Sequence, residues 1–468
     1  MSEPQNRCAL FVAKRAFSFA FKKFKGRVVL KKIVAFLLFA LIVFGSVFSV
    51  SFAVSEPCSY LTSSSTPTSS ATLKFSKKFG NGYMASPTTP VAVGNTLIVA
   101  SGKKLYKLDA QTGKEIKSAV LSGSLGFGVA TPLYADGKVF VQLDGGKIQA
   151  FDYKTMKSLW LYTDPLGGQS ISPITYDKGY IYTGFWNGED ENANFVSLNV
   201  KDEQPKKETE AKKARWKYTV KGGFYWAGAT VTEGFVVVGT DDGTKGENGN
   251  SKILALKKSN GKLASYLKTK GDIRSSVTFD ESLKVFFASS KAGFVYRFKL
   301  REKDGKLYSL SSFKAAGNVT SSPVSFRGRL YFACRDGKKG KFVVLDSSSM
   351  KKIYDCEMLG YSQSTALVCT KYDNKVYIYM TYNEKPGGIT VFEDSENQKT
   401  AKKTELFKPA GEMGQYCISS VTAGSDGTIY YKNDSGYVFA LYQNPSLFVR
   451  LINSFLRTLL NLLSGVLK

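Results

Sequence analysis

Aromatic, amide and guanidinium side chains follow glycines at intervals along this chain, and they are the residues best suited to bind a ligand. The densest cluster is GGFYWAG at 222–228. Such side chains stack on and hydrogen-bond to sugars or peptides, and aromatic anchors recur in recognition sites. They would serve equally well as packing between structural units. The candidate ligand-binding residues are Phe127, Gln169, Phe224, Tyr225, Trp226, Arg274, Asn318, Tyr361, Gln363 and Tyr416.

The chain contains no histidine, which removes most familiar catalytic systems. Ser-His-Asp and Cys-His nucleophiles and histidine metal ligands are all excluded. No pair of acids indicates a glycosidase. Loops 187–194 and 240–250 carry oxygen ligands that calcium accepts, but they fit solvated hairpin tips as well. We therefore predict no catalytic residue, no metal site and no cofactor, and a protein that is not an enzyme.

The candidate residues recur because the chain repeats itself. Eight apolar segments of strand character, such as NTLIVA at 95–100 and GRLYFA at 328–333, lie at a spacing of about 47 residues. Each repeat contains segments for four strands. A repeat of this length and content is typical of a blade of a β-propeller, in which each sheet covers the face of the next.

The predicted fold is therefore all-β, an eight-bladed β-propeller with four-stranded antiparallel blades over residues 71–443. The last repeat lacks an outer strand, whereas ATLKFSKKF at 71–79 precedes the first repeat as a lone strand. We expect this N-terminal strand to close the last blade, which removes the open sheet edges. The glycines that precede the candidate residues mark where the innermost strands begin, so those residues should face the central channel.

The segments KLDAQTGKE at 107–115 and SSPVSFRGRLYFA at 321–333 resemble the repeat of the pyrroloquinoline-quinone-type (PQQ-like) propellers. That family includes quinoprotein alcohol dehydrogenases and the propeller lipoprotein of the outer-membrane β-barrel assembly machinery. The resemblance implies the fold more strongly than the function. In the dehydrogenases the quinone lies between a Trp and a disulfide of adjacent cysteines, with a carboxylate base and calcium.

This sequence has no adjacent cysteines, and Trp160 and Trp216 occupy the outer-strand position where they should pack. We interpret the chain as a member of the non-catalytic, secreted or cell-surface branch. The predicted function is an exported, non-enzymatic binding or scaffolding module at the cell envelope. A quinone-dependent oxidoreductase and an envelope assembly scaffold are the alternatives.

Residues 1–53 combine a basic region with a long uncharged run, which predicts a signal peptide cut near Ala53 or an uncleaved membrane anchor. Residues 54–70 form a Ser/Thr-rich segment typical of a flexible linker. Both alternatives place the propeller outside the cytoplasm, either secreted or at the cell surface. In such a compartment Cys369 and Cys417, near the inner strands of adjacent blades, could form a disulfide or remain buried thiols.

Residues 444–468 have the pattern of an amphipathic helix with three cations and no acid. We expect it to contact a membrane surface or a partner protein. The residues of its apolar face are Phe448, Leu451, Ile452, Phe455, Leu459 and Leu463.

The formal net charge of +27 at pH 7 should attract polyanions, although a solvated lysine-rich surface explains it equally. The predicted partners are a cell-envelope protein, a glycan or an anionic polymer, and no specific nucleic acid. The charge-dense insertion at 201–216 should be exposed and mobile or form a short surface helix.

Overall fold

The computed structural model describes residues 60–80, 88–125, 131–241, 249–337 and 339–443. The predicted signal region, Phe127 and the predicted C-terminal helix at 444–468 lie outside these ranges. Within them the regular structure consists of β-strands and one short 3₁₀ turn, Gly411–Met413. None of the helical structure in the described ranges is long and apolar enough to cross a membrane.

The strands form eight mainly antiparallel sheets, which are the eight blades of the predicted propeller. Strands β1 to β19 are Leu61–Thr62, Thr72–Lys78, Val91–Val93, Thr96–Ser101, Lys104–Asp109, Glu115–Val120, Leu133–Ala135, Lys138–Leu143, Lys147–Asp152, Ser158–Thr163, Thr175–Asp177, Tyr180–Gly184, Asn192–Asn199, Glu210–Lys212, Trp216–Lys221, Thr230–Val231, Phe235–Gly239, Lys252–Lys257 and Leu263–Lys268. Strands β20 to β34 are Thr278–Asp280, Val285–Ser289, Phe294–Arg301, Lys306–Lys314, Val324–Phe326, Arg329–Asp336, Lys339–Asp346, Lys352–Glu357, Leu367–Cys369, Val376–Tyr382, Gly388–Asp394, Lys402–Phe407, Thr422–Ala423, Ile429–Lys432 and Tyr437–Tyr442.

Each blade begins with a short inner strand and ends with an outer strand. Blades 1 to 4 start at β3, β7, β11 and β16, and blades 5 to 8 start at β20, β24, β28 and β32. The second strands are the most deeply buried, because the neighbouring sheets cover both of their faces. Every residue of β17 and β21 is buried, whereas no residue of the outer strand β6 is.

An aspartate at the end of the third strand caps the turn between the third and fourth strands in blades 1 and 2. Asp109 Oδ1 accepts hydrogen bonds from the backbone N–H of Thr112 at 2.8 Å and from its hydroxyl at 2.7 Å. Asp152 binds Thr155 in the same way, and so the turn is a side-chain-capped turn in both blades. The hydroxyl and N–H of Thr112 lower the pKa of Asp109.

The two outer-strand tryptophans pack between blades, as the sequence predicted, and they join blade 2 to blade 3 and blade 3 to blade 4. Trp216 Nε1 donates to the carbonyl of Lys258 at 3.0 Å in blade 4. Its indole covers Gly261, where a Cβ would lie 2.5 Å from Trp216 Cε3. Trp160 Nε1 donates to the carbonyl of Val200 in blade 3 at 3.4 Å. These side chains therefore contribute to packing between blades.

Strand β2 closes the ring. It pairs antiparallel with β34, with Thr72 opposite Tyr442 and Lys78 opposite Tyr437, and so supplies the outer strand of blade 8. This confirms the predicted closure. Phe75 in β2 covers Gly113 of blade 1, where a Cβ would lie 2.6 Å from Phe75 Cδ2. Phe75 therefore joins the last blade to the first.

Residues 60–70, part of the expected flexible linker, instead pack against blades 7 and 8. Strand β1 pairs parallel with the inner strand β28. Thr66 is fully buried and its Oγ1 lies 2.8 Å from the hydroxyl of Tyr379. That hydroxyl also donates to the carbonyl of Pro67 at 2.8 Å. Blade 7 thus provides hydrogen-bond partners for the backbone and hydroxyl groups of the described part of this segment. The composition of the segment alone does not reveal these contacts.

The insertion also differs from expectation. Residues Glu210–Lys212 form β14, which pairs parallel with β10 and adds a fifth strand to blade 2. The side chains of Glu210 and Lys212 are buried and 3.4 Å apart, and Lys212 Nζ donates to the carbonyl of Lys201 at 2.5 Å. This part of the insertion is neither mobile nor helical, because the buried ion pair and the strand pairing hold it.

The proposed disulfide between Cys369 and Cys417 is not formed, and both are free thiols. Cys369 Sγ lies 3.2 Å from the carbonyl of Ser64, and Cys417 Sγ lies 3.7 Å from the carbonyl of Lys432. Both pack in the apolar cluster between blades 7 and 8. Burial raises the pKa of Cys417 to about 12, which keeps it a thiol at neutral pH.

Hydroxyl groups on the inner strands join neighbouring blades around the channel. Thr230 Oγ1 donates to the carbonyl of Val277 at 2.6 Å, and Thr278 Oγ1 donates to that of Pro323 at 2.6 Å. These bonds fix the inner strands relative to one another. They therefore also fix the segments just before the strands, which carry the candidate binding residues.

Candidate functional site

A cavity of about 510 Å³ lies where the inner strands of blades 4 to 8 begin, and we call it the funnel cavity. Its residues on the segments before the inner strands are Tyr225, Trp226, Arg274, Asn318, Thr320, Tyr361, Ser362, Gln363, Tyr416 and Ile418. The other lining residues lie at the end of a second strand or in the turn that follows it, and they are Lys291, Arg335, Asn383 and Asp434. Seven of the ten predicted residues line it.

Three predicted residues do not line the described cavity. Phe224 is fully buried and packs edge-on against Phe195 with ring centroids 5.1 Å apart, so its prediction as a funnel residue is wrong. It occupies the space above Gly184, which has no side chain. Gln169 forms a two-way backbone bridge with Trp186 outside the cavity lining. Phe127 lies outside the described residues.

Sequence reasoning missed the lining residues that come from the end of the second strand or the turn after it. Each of them donates its backbone N–H to a carbonyl just before the inner strand of the same blade. Arg335 donates to Asn318 at 2.9 Å, and Asp434 donates to Tyr416 at 2.9 Å. The sequence contained a signal for them, because extending the aligned second strands of blades 5 to 8 by two to four residues reaches these positions.

Arg274 is held by acidic residues at one side of the cavity. Its Nη2 lies 2.6 Å from Asp241 Oδ2 and 3.2 Å from Glu189 Oε1. Its guanidinium also lies 4.2 Å from the ring centre of Tyr225. The charge of Arg274 is therefore largely neutralised, and the residue chiefly positions Tyr225.

Asp241 is fully buried beneath Arg274. Burial and a hydrogen bond with Asp272 together raise the pKa of Asp241 to about 8, although Arg274 opposes the shift. At neutral pH the Asp241–Asp272 pair therefore retains a proton. Two neighbouring carboxyl groups are thus accommodated beside one guanidinium.

Arg335 differs from Arg274 because no described carboxylate lies within ion-pair distance of it. Its Nε donates to the carbonyl of Gly337 at 3.0 Å, and its guanidinium lies 5.1 Å from the ring centre of Tyr361. The hydroxyl of Tyr361 in turn accepts from Asn383 Nδ2 at 2.9 Å. A cation with no carboxylate of the described residues within ion-pair distance is suited to hold an anionic group.

One part of the cavity lining is aromatic. The rings of Tyr225 and Trp226 lie 4.8 Å apart, and Trp186 packs edge-on against Tyr225 at 5.0 Å. Trp226 has a φ of +56°, a conformation that costs a bulky residue about 1–3 kcal/mol. The surrounding fold therefore holds this indole in a fixed position. Tyr416 lies at the rim with 48% of its surface exposed.

Asp434 and Lys432 lie at the blade 8 side. Burial raises the pKa of Asp434 to about 6, against the hydrogen bond from the N–H of Ile418 and the charge of Lys432. Burial lowers the pKa of Lys432 to about 7, and its Nζ donates to the carbonyl of Ala100 at 2.7 Å. Near neutral pH this part of the site is close to its titration range.

Comparison with known proteins gives one family and several structural relatives. Residues 65–202 match the sequence model of a family described as outer membrane protein assembly factor BamB. A segment of 58 residues, 12% of this chain, is 43% identical to lupanine 17-hydroxylase [cytochrome c] of a Pseudomonas species. This segment spans only 7% of that enzyme.

Two solved structures share the fold at low sequence identity. BamB from Moraxella catarrhalis superimposes with a TM-score of 0.56 at 13% identity, covering 80% of this chain and 100% of BamB. Quinohemoprotein alcohol dehydrogenase from Comamonas testosteroni gives a TM-score of 0.58 at 14% identity, covering 80% of this chain and 76% of the enzyme. At these identities the likeness establishes the fold alone.

The residues of the funnel cavity do not fit the quinone and calcium of the dehydrogenases. The described cysteines are all free. In the described part of the chain no three acidic or cysteine side chains are grouped to hold a metal ion. The carboxylates of Asp241 and Glu189 are engaged by Arg274.

Repeat, fold and family match agree. Eight blades, each with four antiparallel strands, and the tryptophans that join blades reproduce the features predicted from the repeat. The matched segment 65–202 begins in the described N-terminal segment and extends into blade 3. The chain has the eight-bladed fold of the PQQ-like propellers, and residues 65–202 match a family model of this repeat.

Proposed function

We propose that this protein is an exported, non-enzymatic binding module of the cell envelope, and that its ligand binds in the funnel cavity. The observation that carries this proposal is the aromatic wall of Tyr225 and Trp226 facing the same cavity as Arg335. A volume of about 510 Å³ is in the range of small-ligand sites. The match to the BamB family supports a location outside the cytoplasm.

The acidic groups near the cavity support binding rather than catalysis. Asp241 and Glu189 each form an ion pair with Arg274, so neither is available as a free general base. Asp434 is the one acid among the described residues that line the cavity. If the full-length protein reduced a redox dye after incubation with pyrroloquinoline quinone and calcium, the dehydrogenase alternative would replace this proposal.

The binding proposal is tested with the full-length protein and a panel of oligosaccharides and peptides in a calorimetric titration. We expect Tyr416→Ala to weaken binding of the recognised compound at least tenfold. Tyr266→Ala is the matched control, because Tyr266 is also 48% exposed but lies on the outer strand β19. Equal binding by Tyr416→Ala and wild type, or no binder in the panel, would contradict the proposal.

A second candidate is a scaffold in envelope assembly, favoured by the family match and by full coverage of the BamB structure. In this case a protein partner would use the propeller surface. Cross-linking in intact cells, followed by purification of the full-length protein, should then recover an outer-membrane assembly protein. Recovery that persists in Tyr416→Ala would place that partner outside the funnel cavity.

A further inference from the structure

We infer that the funnel cavity binds a saccharide that carries a carboxylate, and that Arg335 holds this carboxylate. The inference rests on the proposed binding function and specifies its ligand class. Three cations line the cavity, and they differ in what surrounds them. Arg274 is paired with Asp241, and Lys291 lies 4.0 Å from Glu189.

Arg335 is the lining cation for which the described residues offer no acid. Only its Nε has an acceptor among them, the carbonyl of Gly337, so both terminal amino groups remain for a ligand. The Tyr361 ring and the backbone bond to Asn318 fix its position. A guanidinium with both terminal groups available matches the two oxygens of a carboxylate.

The rest of the ligand must present both donors and acceptors beside aromatic rings. Trp226 Nε1 is a buried donor and Asn383 Oδ1 a buried acceptor, and neither has a partner among the described residues. Both residues line the cavity. The amide side chains of Asn318 and Gln363 also line it, and a polyhydroxylated molecule, whose hydroxyl groups donate and accept, can complement them. The Tyr416 ring at the rim suits the apolar face of a sugar ring.

A peptide with a free C-terminal carboxylate is the competing ligand class. Its carboxylate would also suit Arg335, but its flexible backbone makes less use of an aromatic rim beside unpartnered polar atoms. We therefore commit to the acidic saccharide and treat peptide binding as an outcome that contradicts the inference.

The test compares trigalacturonic acid with its carboxyl-reduced, neutral trisaccharide in calorimetric titrations of the full-length protein at low salt. We expect the acidic trisaccharide to bind at least tenfold more tightly than the neutral one. Arg335→Ala should abolish this ratio, and Arg335→Lys should retain part of it. Arg301→Ala, which removes an exposed cation from the β22–β23 hairpin, should leave the ratio unchanged.

Each alternative result has a separate meaning. Equal affinity for the two trisaccharides, or an unchanged ratio in Arg335→Ala, contradicts the inference but leaves the binding module intact. Tighter binding of a tripeptide carboxylate than of trigalacturonic acid also contradicts it. If neither saccharide nor peptide binds, the proposed function itself is wrong. Circular dichroism of each variant establishes that a lost affinity does not come from unfolding.

Discussion

The backbone N–H of Arg335 donates to the carbonyl of Asn318 at 2.9 Å, and the corresponding bond joins Asn383 to Tyr361 at 2.8 Å. In each case a residue at the end of the second strand is tied to the segment before the inner strand. Each of these blades therefore delivers two side chains to the cavity at a fixed separation. The chemistry of the site can vary from blade to blade while the backbone remains the same.

The buried pair Arg329–Asp394 should be important for stability. Arg329 Nη1 lies 3.0 Å from Asp394 Oδ1 across blades 6 and 7, and the hydroxyl of Tyr331 also donates to Asp394. Arg329→Ala leaves a buried carboxylate without its partner, so we expect a loss of about 3–5 kcal/mol in the free energy of unfolding. Urea denaturation measures this loss, and exposed Arg301→Ala should change stability by less than about 0.5 kcal/mol.

Trp216 should contribute through packing and through its hydrogen bond. Trp216→Ala is expected to cost about 3–5 kcal/mol, because it exposes the turn of blade 4 at Gly261. Trp216→Phe keeps most of the packing but loses the bond to the carbonyl of Lys258, and should cost about 1–3 kcal/mol. Thermal and urea unfolding of both variants measure the two contributions. Equal losses would show that the ring stacking contributes nothing beyond the bond.

Gly113 and Gly94 form a matched pair for the closure contact. Both have positive φ, +66° and +55°, but only Gly113 lies against Phe75. Gly94→Ala should therefore cost only the conformational penalty of about 1 kcal/mol. Gly113→Ala should cost about 1–3 kcal/mol more, because the added methyl displaces the ring that joins the last blade to the first. Similar unfolding free energies for the two variants would contradict this account.

Lys432 should make stability depend on pH. Its pKa is about 7 in the folded protein, below the ordinary value of 10.5, so the unfolded chain binds more protons between these values. Stability therefore rises with pH from about 7 toward 10.5, and below 7 the unfavourable contribution of the buried Lys432 charge is constant. Between pH 6 and 9 wild type should gain about 2–3 kcal/mol relative to Lys432→Met. Exposed Lys339→Met is the control, and its difference from wild type should not change with pH.

The repeat and the closure of the propeller ring could be predicted from the sequence, because both depend on local patterns. The lone strand at 71–79 and the missing outer strand of the last repeat are both visible in the letters, and β2 does pair with β34. Tyr225 and Trp226 could be placed in the funnel from the preceding glycines. Their neighbour Phe224 could not, because only the structure shows the space above Gly184 that its ring fills.

Contacts between distant residues were beyond the sequence analysis. Thr66 and Tyr379 are 313 positions apart, so a Ser/Thr-rich segment that binds blade 7 has the same composition as a free linker. The cluster of Asp241, Asp272 and Arg274 brings two loops of different blades together in the same way. The prediction of a disulfide between Cys369 and Cys417 was wrong for a related reason. Two strands can lie close together although the thiols of their cysteines do not point toward each other.

Blade 8 takes three strands from the end of the propeller and one from its beginning. During synthesis β2 emerges early and must remain without its partner until Tyr437–Tyr442 leaves the ribosome. Until then the nascent polypeptide presents an unpaired edge bearing Phe75, which invites association with other chains. The ring can therefore close only after the last strand has been synthesised, so the first strand of the propeller depends on the last for its pairing.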